Sequence, residues 1–545
     1  MHTSRRKRPR PGAPARAVLV VSVVACLAAL LGSGPGTEAA TGDSTSDPPD
    51  TDVSAAIARA TEQAESRAAA AAASAPAVVD GPGIDTEAEL RRAWADPRRT
   101  RIDLTGDIFL RNCRAGDPMR ESPYPMTVDG HGHFLRQTCF EKRLLRQDGT
   151  GYLKLQHLGL SRGGSDGPGA AVTTRGEITL VDCTVTQNLS EEPGGGVFSM
   201  RRATVIGSRI SGNLANDDGG GVYARRGGVQ VYDSVLSNNL VDGSGGAVGS
   251  TGDILVVGSH VDGNTTDGDG GALYTDEAGD VTVIDSTVDG SDADGPGGAI
   301  FTLDGDVAVV QSTLNGNRAD DRGGAISGEA DVLVVNSTIA RNLAVAHVGG
   351  GVWARGSLFI VNSTVTDNYA EGEGGGIMAA GKLTLLNSTV SRNTSSVAAD
   401  IGSGGEFTSV GSIIGPAATD VPLGDARPTR ISCRVYDSVS LGFNFMTDSS
   451  CGLVGNGDVV DDAGPLLALL EDDPDGLILR PLPGSPVLAQ IPSGRCAPLL
   501  PAFVPGGQLV GDLDWDDVLA RDQVGNLRDG GVSCDIGAAQ VGVQP

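Results

Sequence analysis

Carboxylates recur along the middle of this chain at a spacing that could stack them in a column. Asp217 and Asp218, Asp242, Asp267 and Asp269, Asp292 and Asp294, Asp320 and Asp321, then Glu371 and Glu373 each lie just before a glycine pair. Such groups serve two kinds of chemistry. Calcium takes six to eight oxygen ligands, and a pair of carboxylates can hydrolyse a glycosidic bond by acid–base catalysis. The calcium candidates are Asp218, Asp242, Asp267, Asp269, Asp294, Asp320 and Asp321; the alternative for the same residues is a solvated acidic edge that aids solubility. Like charges about 4.8 Å apart repel by about 0.9 kcal/mol in water, a cost calcium would relieve. Lyase chemistry also needs a base, for which Arg225, Arg226, Arg318, Arg322 and Arg355 are available and Lys382 is the one lysine in the repeats. Acids recur in nearly every copy, so no subset stands out and no catalytic residue is assigned.

A second column is aromatic. Phe198, Tyr223, Tyr274, Phe301 and Trp353 each follow a recurring aliphatic by one residue; Met378 extends the series, and Gly249 and Ser327 interrupt it. Alternation along a strand turns the aliphatic inward and its neighbour outward. The rings would then form a stripe for sugar stacking, whereas locally reversed alternation would make them core. His131 and His133 share one strand face, but zinc needs at least three protein ligands and no third is evident nearby. They read as surface or turn histidines.

The element that must position these groups is a repeat. Val172, Val197, Val222, Val248, Leu273, Ile300, Ile326, Val352, Ile377 and Ile401 follow one another at steps of 25, 25, 26, 25, 27, 26, 26, 25 and 24 residues. In phase with them come Asn188, Asn213, Asn239, Asn264, Asn317, Asn342, Asn368 and Asn393, mostly in the pattern Ser-x-(Val/Ile/Leu)-x-x-Asn, with Ser291 breaking the series. A period of this length marks a solenoid. Each copy has room for three short strands, as at 272–274, 280–284 and 286–288. Strands that pair from rung to rung make a parallel β-helix rising roughly 4.8 Å per rung. The fold class expected is all-β, a parallel β-helix of about ten rungs of 24 to 27 residues. Glycine pairs supply positive φ and close approach at a corner; the asparagines are expected to tolerate the left-handed region and to bond amide to amide in a ladder.

Composition agrees with a thin stack of strands and turns: 80 glycines in 545 residues, 39% hydrophobic and 4% aromatic. The formal net charge of −27 argues against a nucleic-acid backbone as partner. Arg5, Arg6, Lys7, Arg8, Arg10 and Arg16 precede an apolar run over 17–31 and small residues around Ala39, which predicts a secretory signal peptide over 1–40 and an extracellular or cell-surface location. The run continues past Cys26, unlike a lipidation box, and is short for a membrane span. Residues 41–82 read as an Ala/Ser/Pro-rich spacer. Residues 83–160 read as an N-terminal cap and first strands, with a capping box at Thr86 and Glu89 opening a helix whose Leu90, Ala93 and Trp94 share a face. Repeats fill 161–415, and 416–545 reads as a cap region. Export makes cysteines readable as disulfides. Nearest-neighbour pairing gives Cys113–Cys139, Cys433–Cys451 and Cys496–Cys534, although spacing leaves the connectivity open. Cys183, standing where later copies have serine, reads as a reduced, packed thiol.

The repeats resemble those of bacterial right-handed parallel β-helix proteins of the pectin-lyase-like fold. The units Gly297 to Ile300 and Gly323 to Ile326 are similar to the Gly-Gly-Ala-Ile repeats of chlamydial polymorphic outer membrane proteins. In the tail, Leu441-Gly442-Phe443-Asn444, Cys451, Gly457-Asp458, Leu482-Pro483-Gly484-Ser485-Pro486-Val487, Cys496, Arg521-Asp522-Gln523 and Cys534-Asp535-Ile536-Gly537-Ala538 resemble, in order, the C-terminal region of the "choice-of-anchor Q" family of exported β-helix proteins. The resemblance runs from about Ile84 to Gln540 and implies a right-handed coil and export, with no established reaction. Five residues follow Gln540, so no sorting anchor is expected. The function expected is a structural or binding role in contact with glycan or another cell-envelope component; the alternative is a polysaccharide lyase or glycoside hydrolase. Oligomeric state is left open.

Overall fold

A single copy of the repeat shows how the chain closes one turn of the coil. Val172–Thr174 is followed by Ile178–Val181, Thr184–Thr186 and Leu189–Ser190, each separated by a corner. Left-handed backbone bends two of those corners, at Asp182 (φ 50) and Gln187 (φ 58), and Gly194 (φ 77) bends the turn into the next copy. Each rung therefore carries four short strands where the sequence suggested three. The extra one has only two residues, too few to show alternation.

The computed structural model describes residues 81–418, 428–473, 476–492, 495–496, 515–528 and 533–539, with Glu62 and Ser66. The expected signal peptide lies outside them, as does nearly all of the expected spacer. First and second strands of successive rungs join one 25-stranded sheet, third strands a 15-stranded sheet and fourth strands a 9-stranded sheet. The rung-to-rung pairing is parallel and in register, Val172 with Val197, Val197 with Val222, and so on to Ile377 with Ile401. All ten in-phase aliphatics are sealed in one continuous core. Paired strands continue beyond the ten copies at both ends, giving a parallel β-helix of about 12 turns.

Two polar ladders run inside the coil. Asn188 Nδ2 donates to Asn213 Oδ1 (2.8 Å), Asn213 to Asn239 (2.9 Å) and Asn239 to Asn264 (3.0 Å). After a break at Ser291 the series resumes from Asn317 through Asn342 and Asn368 to Asn393. Each Oδ1 within the runs also accepts the backbone N–H of the preceding asparagine, as Asn213 does from Asn188. These amides are buried yet satisfied on both sides, which buried polar groups require. One expectation needs correction: the ladder asparagines do not occupy the left-handed region. The residue before them does, at Gln187, Asn238, Arg341, Asp367 and Arg392 and at Gly212, Gly263 and Gly316, as does Gly290 before Ser291. An inward amide needs ordinary backbone, so the bend falls on the preceding residue.

The second ladder is of serines. Ser208, Ser234, Ser259, Ser286, Ser312, Ser337, Ser363 and Ser388 each accept, at Oγ, the backbone N–H of the residue one rung earlier. Cys183 opens this column as a buried free thiol, its pKa pushed up to about 12 by burial.

Helix α1, Glu87–Ala95, closes one end. Thr86 Oγ1 accepts from Glu89 N–H (3.4 Å), and Leu90, Ala93 and Trp94 are buried against the first rungs. The fully buried Arg120 donates to the carbonyls of Asp96 (2.8 Å), Trp94 (3.3 Å) and Arg99 (2.9 Å), satisfying the helix end. At the other end Cys433–Gly442 pairs with Ile401–Val410 as a further turn. The chain then doubles back along the side of the coil. Helix α2, Trp515–Ala520, lays Val518 and Leu519 on the outer row that includes Val335, Val361 and Leu386. Gln523 bridges Thr338 and Thr364, and the buried Arg528 donates to Asn362 Oδ1 (3.1 Å) and to the carbonyls of Gly537 and Ala538. Disulfides join Cys113 to Cys139, Cys433 to Cys451 and Cys496 to Cys534.

Two outcomes follow from the ladders. Ser291→Asn should reconnect Asn264 to Asn317 and raise stability by about 1 kcal/mol, read as a higher urea midpoint; an unchanged or lower midpoint would show that the ladder does not act through its links. Asp400, fully buried, ends the second run by accepting both N–H and Nδ2 of Asn393 at Oδ1. Burial pushes its pKa up to about 7. A carboxyl raised in the folded state contributes fully below the ordinary carboxylate range and loses that contribution as pH rises through about 7. Asp400→Asn should therefore be more stable than the parent at pH 8 and indistinguishable near pH 4 in denaturation midpoints.

Candidate functional site

The outward position of the first strand forms one register: Thr173, Phe198, Tyr223, Gly249, Tyr274, Phe301, Ser327, Trp353, Met378 and Gly402. None of the rings belongs to the internal core, as alternation dictates. They do not form an open stripe, however. Phe198 stacks on Tyr223 and Tyr274 on Phe301, each pair with centroids 6.0 Å apart and planes 10° apart. Rings stacked along the coil hide each other's faces, so Phe198, Tyr223 and Phe301 are only 4 to 5% exposed, while Tyr274 and Trp353 are half-buried. Within the column the ring series is interrupted at Gly249 and Ser327, while at its ends Phe198 neighbours Thr173 and Trp353 neighbours Met378.

At Ser327 the chain fills the gap itself. Arg322, from the turn entering that rung, lays its guanidinium 4.2 Å from the Trp353 ring centroid. Its Nη2 donates to Glu329 Oε1 on the far side of the strand, and Glu329 also pairs with Arg355 (3.2 Å). The strap therefore crosses directly over Ser327.

At Gly249 the corresponding positions carry no charge. Ser244 stands where Arg322 stands, before the first glycine of the corner, and Thr251 stands where Glu329 stands. Tyr223 leans over the gap: a Cβ on Gly249 would lie 3.0 Å from Tyr223 Cδ2. Acids surround it. Asp218 Oδ1 accepts the Ser244 N–H (2.9 Å), and Asp269 N–H donates to Ser244 Oγ (3.2 Å). Burial, then Asp217, Asp276 and Asp269, push the Asp218 carboxyl up to about 6, against the Ser244 hydrogen bond. Burial together with Asp218 and Asp276 pushes Tyr223 up to about 12, and Tyr274 is raised by burial and by Asp276, Asp218 and Asp269. Asp276, Ser244 and Glu329 went unmarked in the sequence. Their fixed offset from the glycine corner is the signal that would have found them.

The remaining acids of the column separate. Arg318 pairs with Asp292 (2.8 Å) and with Asp320, Asp321 with His347 (2.7 Å), and Glu373 with Arg434 (2.8 Å). Asp242, Asp267 and Asp294 are exposed. The acidic column, read as either a calcium candidate or a solvated edge, is thus paired in part with Arg318, His347 and Arg434. Among the described residues, the one converging group of three potential ligands lies elsewhere, at Asp103, Asp129 and His131. There Arg101 already donates to Asp103 (2.6 Å) and Asp129 (3.1 Å), while His131 reaches Asp103 (3.0 Å) and His157 reaches Asp129 (3.2 Å). A guanidinium holds the centre of this knot, and His133 turns away to Asp107 (3.2 Å), so the two histidines do not act as a pair. A further acidic column was missed. Asp253, Asp280, Asp306 and Asp331 each accept, at Oδ1, the N–H of the next rung's turn, and Asp280 is pushed up to about 7, by burial above all.

Surface depressions lie at other places on the outer face of the described residues. One of about 450 Å³ lies beside Phe140 and Arg162, one of about 410 Å³ beside Phe134 and His157, and one of about 330 Å³ where Gln523 crosses Thr338. None is lined by the aromatic column. The profile described as "Right handed beta helix region" matches residues 271–416, which gives the coil its hand. No curated protein and no solved structure matches the chain.

Removal of the strap should report on it directly. Arg322→Ala is expected to lower stability by roughly 1 kcal/mol through the lost cation–π contact and to shift tryptophan emission to the red as Trp353 hydrates. Unchanged emission would place the guanidinium elsewhere in solution.

Proposed function

We propose that the protein is an exported scaffold that binds glycan or another cell-envelope component through the ring-bearing face of its coil. The observation that carries this reading is the placement of Tyr274 and Trp353, half-buried rings outside the core of a rigid stack, on one straight register. Rings so held lose little freedom on binding a sugar. The tail's resemblance to "choice-of-anchor Q" proteins and the basic, then apolar, N-terminus support export. A net charge of −27 favours neutral glycans over polyanions.

Cleavage is the weaker reading because rungs of 24 to 27 residues leave no long loop to wall a cleft, and active sites of rigid scaffolds sit on such loops. Purified protein should co-sediment with one or more neutral polysaccharides of a panel, and Tyr274→Ala with Trp353→Ala should weaken that binding by roughly tenfold without loss of the folded β signal. Release of reducing or unsaturated ends from any member of the panel would overturn the non-catalytic reading.

A further inference from the structure

Two columns of polar residues run side by side where the second strand of each rung turns into the third. Thr287, Thr313, Thr338, Thr364 and Thr389 pair in register on the third strands, and they point outward because their neighbours Val288, Leu314, Ile339, Val365 and Val390 lie in the core. Asp285, Gln311, Asn336, Asn362 and Asn387 bend the corner two residues earlier, all left-handed with φ of 45 to 48.

The C-terminal tail occupies this track from its far end and stops part-way. Thr389 Oγ1 accepts the Ala538 N–H (3.1 Å), Arg528 donates to Asn362 Oδ1 (3.1 Å), and Asn362 Nδ2 donates to the carbonyls of Val518 and Arg521. The Gln523 carboxamide accepts from Thr364 Oγ1 (2.6 Å) and donates to Thr338 Oγ1 (2.7 Å). Next to Thr338, on the N-terminal side, the depression of about 330 Å³ opens. Gln523 and Leu477 of the tail border it, and the track continues through it as Asn336, Thr313, Gln311 and Thr287.

Asn336 marks the depression as a site left open. Its Oδ1 is buried without a hydrogen-bond partner among the described residues, whereas the same atom of Asn362, one rung on, is met by Arg528. Buried polar atoms are normally paired. None of the other buried unpartnered side-chain atoms lines a depression described above. The residue is itself part-exposed, and its broad terminal torsion can bring either end of the carboxamide to the slot. In the occupied rungs the asparagine takes an N–H on Oδ1 and gives its Nδ2 to carbonyls, the two groups that an amide carries. The rest of the lining is hydroxyl and carboxamide with one carboxylate, Asp285, and Leu477 is its only apolar side chain. Such a lining offers nothing to an apolar side chain and suits a ligand rich in hydroxyls.

We propose that this slot binds an N-acetylated amino-sugar unit of a glycan, its acetamido group bonding to the Asn336 carboxamide and its ring hydroxyls to Thr313, Gln311 and Thr287. The slot lies on the sheet of third strands, whereas the rings of Tyr274 and Trp353 stand on first strands, so either site can fail without the other.

The test is calorimetric titration of the full chain with di-N-acetylchitobiose and with cellobiose, which has hydroxyls in place of the acetamido groups. Saturable binding of the acetylated dimer is expected, with cellobiose weaker by roughly tenfold, the worth of one or two hydrogen bonds. Asn336→Gly removes the carboxamide at a position whose left-handed backbone glycine adopts freely, and should abolish binding. Thr313→Val, a change of equal size on the outer face of a strand, should weaken it several-fold and gives a second reading whatever the first variant does to folding. No saturable binding, equal binding of cellobiose, or binding indifferent to both variants would overturn the proposal. So would tighter binding of a capped triglycine, which would assign the slot to a peptide backbone. Loss of the dimer in Asn336→Gly while polysaccharide still co-sediments would support a slot separate from the rings.

Discussion

Everything in this structure depends on one constraint: each rung must hydrogen-bond the next in strict parallel register, because a short strand has no other partner for its backbone. Register turns a position in the repeat into a column in space. An aliphatic becomes a core seam, an asparagine a ladder, and a turn residue a line on the surface. It also removes local freedom, since the backbone one rung away already fills the space beside each corner. At Gly298 an added Cβ would lie 2.2 Å from the Gly324 carbonyl oxygen, which is why the glycine pair recurs.

Much of this was legible because periodicity is read without knowing any contact. The aliphatics from Val172 to Ile401, the asparagine series and its break at Ser291 all follow from spacing, as did the face of α1 that carries Leu90 and Trp94. What escaped lies where a column's neighbours decide the outcome. The stripe from Phe198 to Trp353 was placed on the right side of the strand, but ring-on-ring stacking covers faces that alternation alone leaves open. The acids from Asp217 to Glu373 were read as one column. Whether Asp292 meets Arg318 or Asp218 meets Ser244 depends on side chains one rung away, which no window along the chain contains. The C-terminal segment showed its motifs but not its path, because the surface it covers belongs to residues more than a hundred positions earlier.

Room for function lies at the departures from the repeat. A column of identical residues explains itself by stacking, whereas Gly249 and Ser327 leave room that stacking does not use. Compared with each other, the two gaps reveal what the fold tolerates there: a cation over a ring, held across the strand by an acid. Beside Gly249 burial above all, then Asp217, Asp276 and Asp269, raises the Asp218 carboxyl, while beside Ser327 Glu329 is shared by Arg322 and Arg355.

The break at Ser291 also divides the coil mechanically. In each run the amides donate toward the C-terminus, four asparagines before the break and four after it, except that Asn264 at the break donates to the carbonyls of Leu236 and Asp262, and the second run ends on Asp400. Between Asn264 and Ser291 the asparagine rail is missing, while the serine ladder still crosses from Ser259 to Ser286 and Asp253 still accepts from Asp280. Under tension along the axis, this plane holds one side-chain rail fewer than the planes within either run, so it is where the coil should yield first.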